Sequence, residues 1–214
     1  MLGLKHYRSV FLVLILLTSP LFATIVLNDG RPHEIDHDIS EPLRIYDSPS
    51  GQPTTVKIIA DITFRDVNVY GSSRFYMTAG TIHGALAQFD SSYIEVSGGK
   101  VDEDPFWLTD NALLVITGGY IDESFRAHDN SQIHVHGAGF TIGGLPVGYG
   151  LQSAREGTLR GALLNGGAIK STLSFSENAA LTLIPEPSAL ALLALAALRR
   201  RRRPPGTLSM SSPA

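Results

Sequence analysis

Ile94-x-Val96-Ser97-Gly98-Gly99-x-Val101 returns as Leu114-x-Ile116-Thr117-Gly118-Gly119-x-Ile121. A loosened copy follows, Ile133-x-Val135-His136-Gly137-Ala138-x-Phe140, and an earlier one reads Phe75-x-Met77-Thr78-Ala79-Gly80-x-Ile82. Successive copies stand 19, 20 and 19 residues apart. Within each copy apolar and polar residues alternate, the two-residue period of a half-buried strand. A fixed period near 20 with alternation inside it predicts an all-β fold, a short parallel β-helix or β-solenoid in which each repeat is one coil. Inward apolar side chains then stack on their equivalents at about 4.8 Å. The Gly pairs mark corners where a Cβ would obstruct the chain. Asp90-Ser91, Asp110-Asn111 and Asn130-Ser131 precede the strand segments, and Asn and Asp favour turns by bonding their own backbone. An antiparallel sandwich is the competing architecture, but it gives no reason for a regular repeat.

No coil buries its apolar face alone, so several must stack and the ends need caps. The solenoid repeats are expected over residues 61–150, with Ile62, Phe64, Val67 and Val69 as a partial coil. Residues 24–60 are expected to supply N-terminal cap strands, from Val26, Leu27, Ile35, Ile39, Leu43, Ile45, Val56 and Ile58. Residues 151–184 supply closing strands after the Gly/Pro break of residues 143–150, with Thr172 to Leu183 folding back as a hairpin on the final coil.

Both ends carry addresses. Lys5, His6 and Arg8 precede the apolar run Val10 to Leu17, and Pro20 ends it. That is the layout of a secretory signal peptide, residues 1–23, with a short helix and cleavage after Ala23. Near the other end, Pro185-Glu186-Pro187 leads into a hydrophobic helix and then Arg199, Arg200, Arg201, Arg202 and Arg203. Ile184 to Leu198 would cover roughly 22 Å as a helix, short of the ~30 Å hydrocarbon core. It is a marginal span whose arginines suit the cytoplasmic side. Residues 204–214 read as a disordered tail.

These two ends together resemble the PEP-CTERM family of bacterial surface proteins. The resemblance implies recognition of Pro185, Glu186, Pro187 and Arg199 to Arg203 by an exosortase-type membrane enzyme. It also implies export through the secretion translocon, processing near Pro185–Pro187, and a membrane-anchored intermediate before delivery to the surface or extracellular matrix. The chain departs from the family in continuing past the basic block, through Pro204 to Ala214. The same C-terminal segment is sometimes labelled after ice-binding proteins that carry it. Asn28-Asp29-Gly30 with His33-x-Ile35-Asp36, and the strands running into Pro185, also resemble the ends of β-solenoid members.

The chain has no cysteine, so packing and hydrogen bonds alone must hold an exported fold. Between the addresses, residues 24–187 carry ten Lys and Arg against twenty Asp and Glu, a formal charge of −10. That excludes nucleic acid and anionic membrane surfaces as partners on electrostatic grounds. It suits a soluble exported domain or divalent cations, and extracellular polysaccharide is a candidate partner of its surface.

Candidate chemistry is sparse, and no cofactor is expected. His33-Glu34-Ile35-Asp36-His37 matches the H-E-x-x-H string, which needs a helix to bring both histidines to one metal. Pro32 and the strand-like residues around it argue against that helix. Asp102-Glu103-Asp104 and Asp122-Glu123 follow the Gly corners at equivalent places. Stacking would set Asp102 over Asp122, where like charges either splay into solvent or share a Ca²⁺. With Arg126 as a basic group, this is the lead for the runner-up reading, a carbohydrate-active lyase or hydrolase on a β-helix. His134 and His136 alternate onto one outward face. Trp107 and Phe106 suit either a sugar-stacking platform or packing. An ice-binding Thr column is broken, because Ser97 and His136 interrupt Thr78 and Thr117. The preferred expectation is a non-enzymatic structural or glycan- and partner-binding protein.

Overall fold

The structure, a computed structural model, describes residues 23–187. The signal-peptide helix, the hydrophobic helix, the arginine cluster and the tail lie outside the described residues. Among the described residues no helix is long and apolar enough to cross a membrane.

The chain winds as a parallel β-solenoid of about six turns. Its first coil holds β1 (Ile25–Leu27) and β2 (Pro32–Ile35), and closes with an isolated bridge at Ile39. The second has β3 (Leu43–Ile45), β4 (Thr55–Ile58) and β5 (Thr63–Phe64). The third has β6 (Val67–Val69), β7 (Arg74–Met77) and β8 (Thr81–Ile82). The fourth has β9 (Leu86–Gln88), β10 (Tyr93–Val96) and β11 (Lys100–Val101). The fifth has β12 (Phe106–Leu108), β13 (Leu113–Ile116) and β14 (Gly119–Ile121). The sixth opens with β15 (Phe125–Ala127) and β16 (Gln132–Ile142). Three faces result. Face 1 stacks β2, β4, β7, β10, β13 and β16; face 2 stacks β5, β8, β11 and β14; face 3 stacks β1, β3, β6, β9, β12 and β15.

The alternation read from the sequence is what fills the interior. On face 1, Val56, Phe75, Ile94, Leu114 and Ile133 stack in register, as do Ile58, Met77, Val96, Ile116 and Val135. All ten are fully buried. Each such side chain contributes about 1.5–3 kcal/mol by leaving water. His33 takes the inward position above Val56 in the first coil and bonds Asp29 Oδ1 through Nε2 at 2.9 Å. That bond holds the Asp29 carboxyl below its ordinary range. The H-E-x-x-H string is therefore strand rather than helix: extended chain spreads residues i and i+4 over about 13 Å, and His37 pairs with Asp36 instead.

Two corners repeat from coil to coil. Between faces 1 and 2, Gly80, Gly99 and Gly119 have φ of 83°, 79° and 90°. A Cβ on Gly99 would lie 2.5 Å from Gly80 O, and one on Gly119 2.8 Å from Gly99 O. Between faces 3 and 1, Asp90, Asp110 and Asp129 sit in the left-handed region at φ 60°, 58° and 56°. Each carboxylate reaches back one coil: Asp90 accepts from Gly71 N, Asp110 from Asp90 N and Asp129 from Asp110 N, at 2.9, 3.1 and 3.3 Å. The third turn residue is thus Asp129, one position before the expected Asn130-Ser131. Beside these aspartates Tyr46, Tyr70 and Phe89 stack at 4.4 and 4.6 Å between centroids, the spacing of the strands that carry them.

The ends differ from the sequence expectation. Parallel stacking begins at Ile25, so the strands expected as an N-terminal cap are coils in their own right. At the other end the winding is interrupted rather than closed by a hairpin of Thr172 to Leu183. The distal half of β16 leaves face 1, followed by β17 (Leu145–Pro146), β18 (Gly150–Gln152) and β19 (Glu156–Leu163). After Asn165-Gly166 the solenoid resumes. β20 (Gly167–Phe175) lies parallel on both β14 and β15, and β21 (Ala180–Pro185) lies parallel on β16. β19 runs antiparallel along β20, and β18 antiparallel along β21, covering the last coil's edge. Alternation marks a strand but not the direction of its partner, so this excursion was not legible locally.

Candidate functional site

The third corner, between faces 2 and 3, carries the charged residues. Ile82, Val101, Ile121 and Ile169 stack in the buried ladder of face 2. The next residue in each coil turns outward, so His83, Asp102, Asp122 and Lys170 form a polar ladder along the corner. Asp102 does fall in register with Asp122, and each carboxylate has a lysine beside it. Lys100 Nζ contacts Asp102 Oδ2, and His83 Nδ1 lies 3.1 Å from Asp102 Oδ1. Lys170 donates to Asp122 Oδ1 at 2.8 Å and the Tyr120 hydroxyl to Oδ2 at 3.3 Å. The Lys170 bond, chiefly, holds the Asp122 carboxyl below its ordinary range. The Asp102 contact raises the Lys100 ammonium above its own.

Glu103 has a left-handed backbone at φ 86° and gives its N–H to Glu123 Oε1 at 2.8 Å. Its own carboxylate turns back, placing Oε1 3.3 Å from His83 Nδ1. A shallow polar pocket beside Asp122 is lined by Glu123, Thr158, Arg160, Lys170 and Thr172. Arg160 and Lys170 are direct cross-strand partners on β19 and β20. Sequence reasoning missed both, because 48 residues separate Lys170 from Asp122 and the excursion intervenes. It also missed His83, whose only sequence signal is its place one residue after Ile82, matching Asp102 after Val101.

Arg126, the expected basic group, points outward from face 3, with its guanidinium carbon 4.7 Å from the Trp107 ring centroid. Trp107 also stacks against His128, with centroids 6.5 Å apart. Phe106 is buried edge-on against Phe125 at 5.2 Å. Phe106 thus packs within the solenoid wall, whereas Trp107 lies half-buried on the outer side of face 3 beneath Arg126.

Face 1 presents the broad outer surface. Its middle carries Arg74, Tyr76, Tyr93 and Glu95, with the two tyrosine rings 5.7 Å apart and the Tyr93 hydroxyl donating to Glu95 Oε2 at 2.9 Å. Burial and that bond push the Tyr93 phenol far above its ordinary range. Shallow pockets lie on either side, one lined by Ser72 and Ser91, the other by Glu34, Lys57, Thr78 and Ser97. His134 and His136 face outward lower on the same face, half-buried, and burial holds both imidazoles below their ordinary range. The Thr78, Ser97, Thr117 and His136 column exists as expected. Its hydroxyls are engaged, with Thr78 donating to Ile58 O at 2.7 Å and Thr117 accepting from Asn165 Nδ2 at 3.1 Å.

At the ends of the described chain, Ala23 lies just before β1 and Pro185 is the last residue of β21, in register with Gly137. Comparison with family models, with curated proteins and with solved structures found no match.

Proposed function

We propose that this chain is an exported, non-enzymatic surface or extracellular-matrix protein, sorted by a PEP-CTERM-like signal, whose solenoid body offers face 1 to glycans or partner chains. One observation carries the routing half. The packed body fits between the two addresses: β1 opens just after Ala23, and β21 ends at Pro185, the first residue of Pro-Glu-Pro. Cleavage at both addresses would leave every buried ladder intact. The partners on this reading are the secretion translocon, an exosortase-type enzyme, and then an extracellular polysaccharide. Tyr76 and Tyr93 offer aromatic faces and Arg74, Glu95 and Lys57 offer hydrogen bonds, the mix that suits an uncharged sugar chain. Pro185→Ala with Pro187→Ala should leave an unprocessed, membrane-retained form in fractionated cells. Unchanged processing would refute the routing.

A second reading, a polysaccharide lyase or hydrolase, draws on the pocket where Asp122 and Glu123 meet Arg160 and Lys170. Against it, Asp122 is held by Lys170 and Asp102 by Lys100, so neither carboxylate stands ready as a free base or nucleophile. Screening the purified chain against acidic polysaccharides, with Ca²⁺ and with EDTA, separates the two. No product is expected; product formation abolished by Asp122→Ala would establish the enzyme.

A further inference from the structure

We infer that His83, Asp102 and Glu103 form a mononuclear site for a divalent transition-metal ion of the zinc type. The side chains come from two adjacent coils, His83 from one and Asp102 with Glu103 from the next, and each offers one donor atom, all within 4.8 Å of one another. His83 Nδ1 stands 3.1 Å from Asp102 Oδ1 and 3.3 Å from Glu103 Oε1. Bonds of about 2.0–2.2 Å meeting at roughly 90–110° put neighbouring metal donors about 3–3.5 Å apart, and both separations from His83 fall in that range.

The hydrogen bonding points the same way. Asp102 Oδ1 is buried and has no hydrogen-bond partner: the His83 contact has ion-pair distance without hydrogen-bond alignment. A buried carboxylate oxygen left in that condition costs free energy, and a cation on it would remove the cost. The other oxygen, Oδ2, is taken by Lys100 Nζ. Lys100 thereby turns Oδ1 toward His83, as outer-shell partners orient ligating carboxylates. Glu103 and His83 are the exposed members, at 65% and 43%, and leave the site open to solvent.

The donor set selects the ion. One imidazole nitrogen and two carboxylate oxygens suit zinc and its neighbours, whereas Ca²⁺ takes six to eight oxygens. This differs from the Ca²⁺ bridge that Asp102 and Asp122 suggest in the sequence, because Lys170 already neutralises Asp122. With three protein ligands, a fourth position is left for water or for an oxygen of a bound partner.

The test is titration of the purified full chain with Zn²⁺ by calorimetry, with Co²⁺ absorption reporting the ligand field. One equivalent should bind, and Zn²⁺ should raise Tm. His83→Ala should keep the metal-free Tm and lose at least about 100-fold in affinity, and Lys100→Met about 10-fold, as an outer-shell partner does. Equal affinity in His83→Ala, no uptake at all, or uptake lost instead through His33→Ala or His134→Ala would each overturn the assignment.

Discussion

Gln88 interrupts an otherwise apolar inward ladder, between Val69 above and Leu108 below. Its Nε2 donates to Leu113 O at 3.0 Å, but its buried Oε1 has no partner. An orphaned buried acceptor costs about 1–3 kcal/mol, and a leucine there would extend the ladder. Part of the gain is offset by the lost bond to Leu113. Gln88→Leu should therefore stabilise by about 1 kcal/mol and raise Tm by roughly 2–4 °C in a body of this size; a lower Tm would mean the amide bond matters more than the orphan. His134 and His136 contribute a pH dependence near neutrality. Burial disfavours the charged form of both in the fold; His136 adds to this at His134, and at His136 burial outweighs the nearby Glu95. The unfolded chain takes up protons at the ordinary value near 6.5. Their contribution is thus present above about pH 6.5 and lost as pH falls through the lowered folded values. Tm should drop between pH 7.5 and pH 5, and His134→Gln with His136→Gln should flatten that part of the drop. A double variant with the same acid sensitivity as the parent would locate the proton uptake elsewhere.

At the scale of the element, the two regular corners solve one problem by different chemistry. The chain must turn sharply while the coil above stays about 4.8 Å away. Glycine does this by having no Cβ where the neighbouring carbonyl passes. Aspartate does it by entering the left-handed region, where few other residues are tolerated, and by bonding the N–H of the coil before. The glycine corner was legible as Gly98-Gly99 and Gly118-Gly119. The aspartate corner was legible in kind but slipped by one residue at Asp129, because Asp129-Asn130 offers two turn formers in a row. Gly51 and Gly99 separate backbone strain from crowding. Both have φ 79°, but a Cβ on Gly51 meets nothing within 4 Å, whereas on Gly99 it meets Gly80 O. Alanine at either site costs about 1–2 kcal/mol for the left-handed conformation. Gly99→Ala should lose at least about 1 kcal/mol more in denaturant unfolding, an overpacking cost. Equal losses would mean the coils can part to admit a methyl group.

At the scale of the molecule, legibility followed periodicity. The repeat announced coils from Ile62 to Val135, since each buried ladder returns at a fixed interval. It did not announce the two coils before Ile62, whose turns vary in length: Val56 stands 23 residues after its partner His33. Nor did it announce that the winding resumes at Gly167, because that depends on a long-range pairing. The acidic corner was visible as carboxylates, and Lys100 stands two residues from Asp102, but His83 and Lys170 come to them only when coils are stacked. A molecule built this way is held by contacts between neighbouring coils, so its stability is close to a sum over repeats. Excision of residues 93–112 tests that property. It joins Ser92 to Leu113, in the place where Tyr93 and Leu113 are register partners, so every following strand keeps its face. β13 would then rest on β7, Leu114 against Phe75, with Ile121 against Ile82 and Phe125 against Leu86. The shortened chain should keep a β-rich circular dichroism spectrum and a single unfolding transition. It should lose about 1–3 kcal/mol, the share of twenty residues at ordinary stability per residue. An unfolded or aggregated product would mean that residues 93–112 hold something the neighbouring turns cannot replace, and that the stack is not modular.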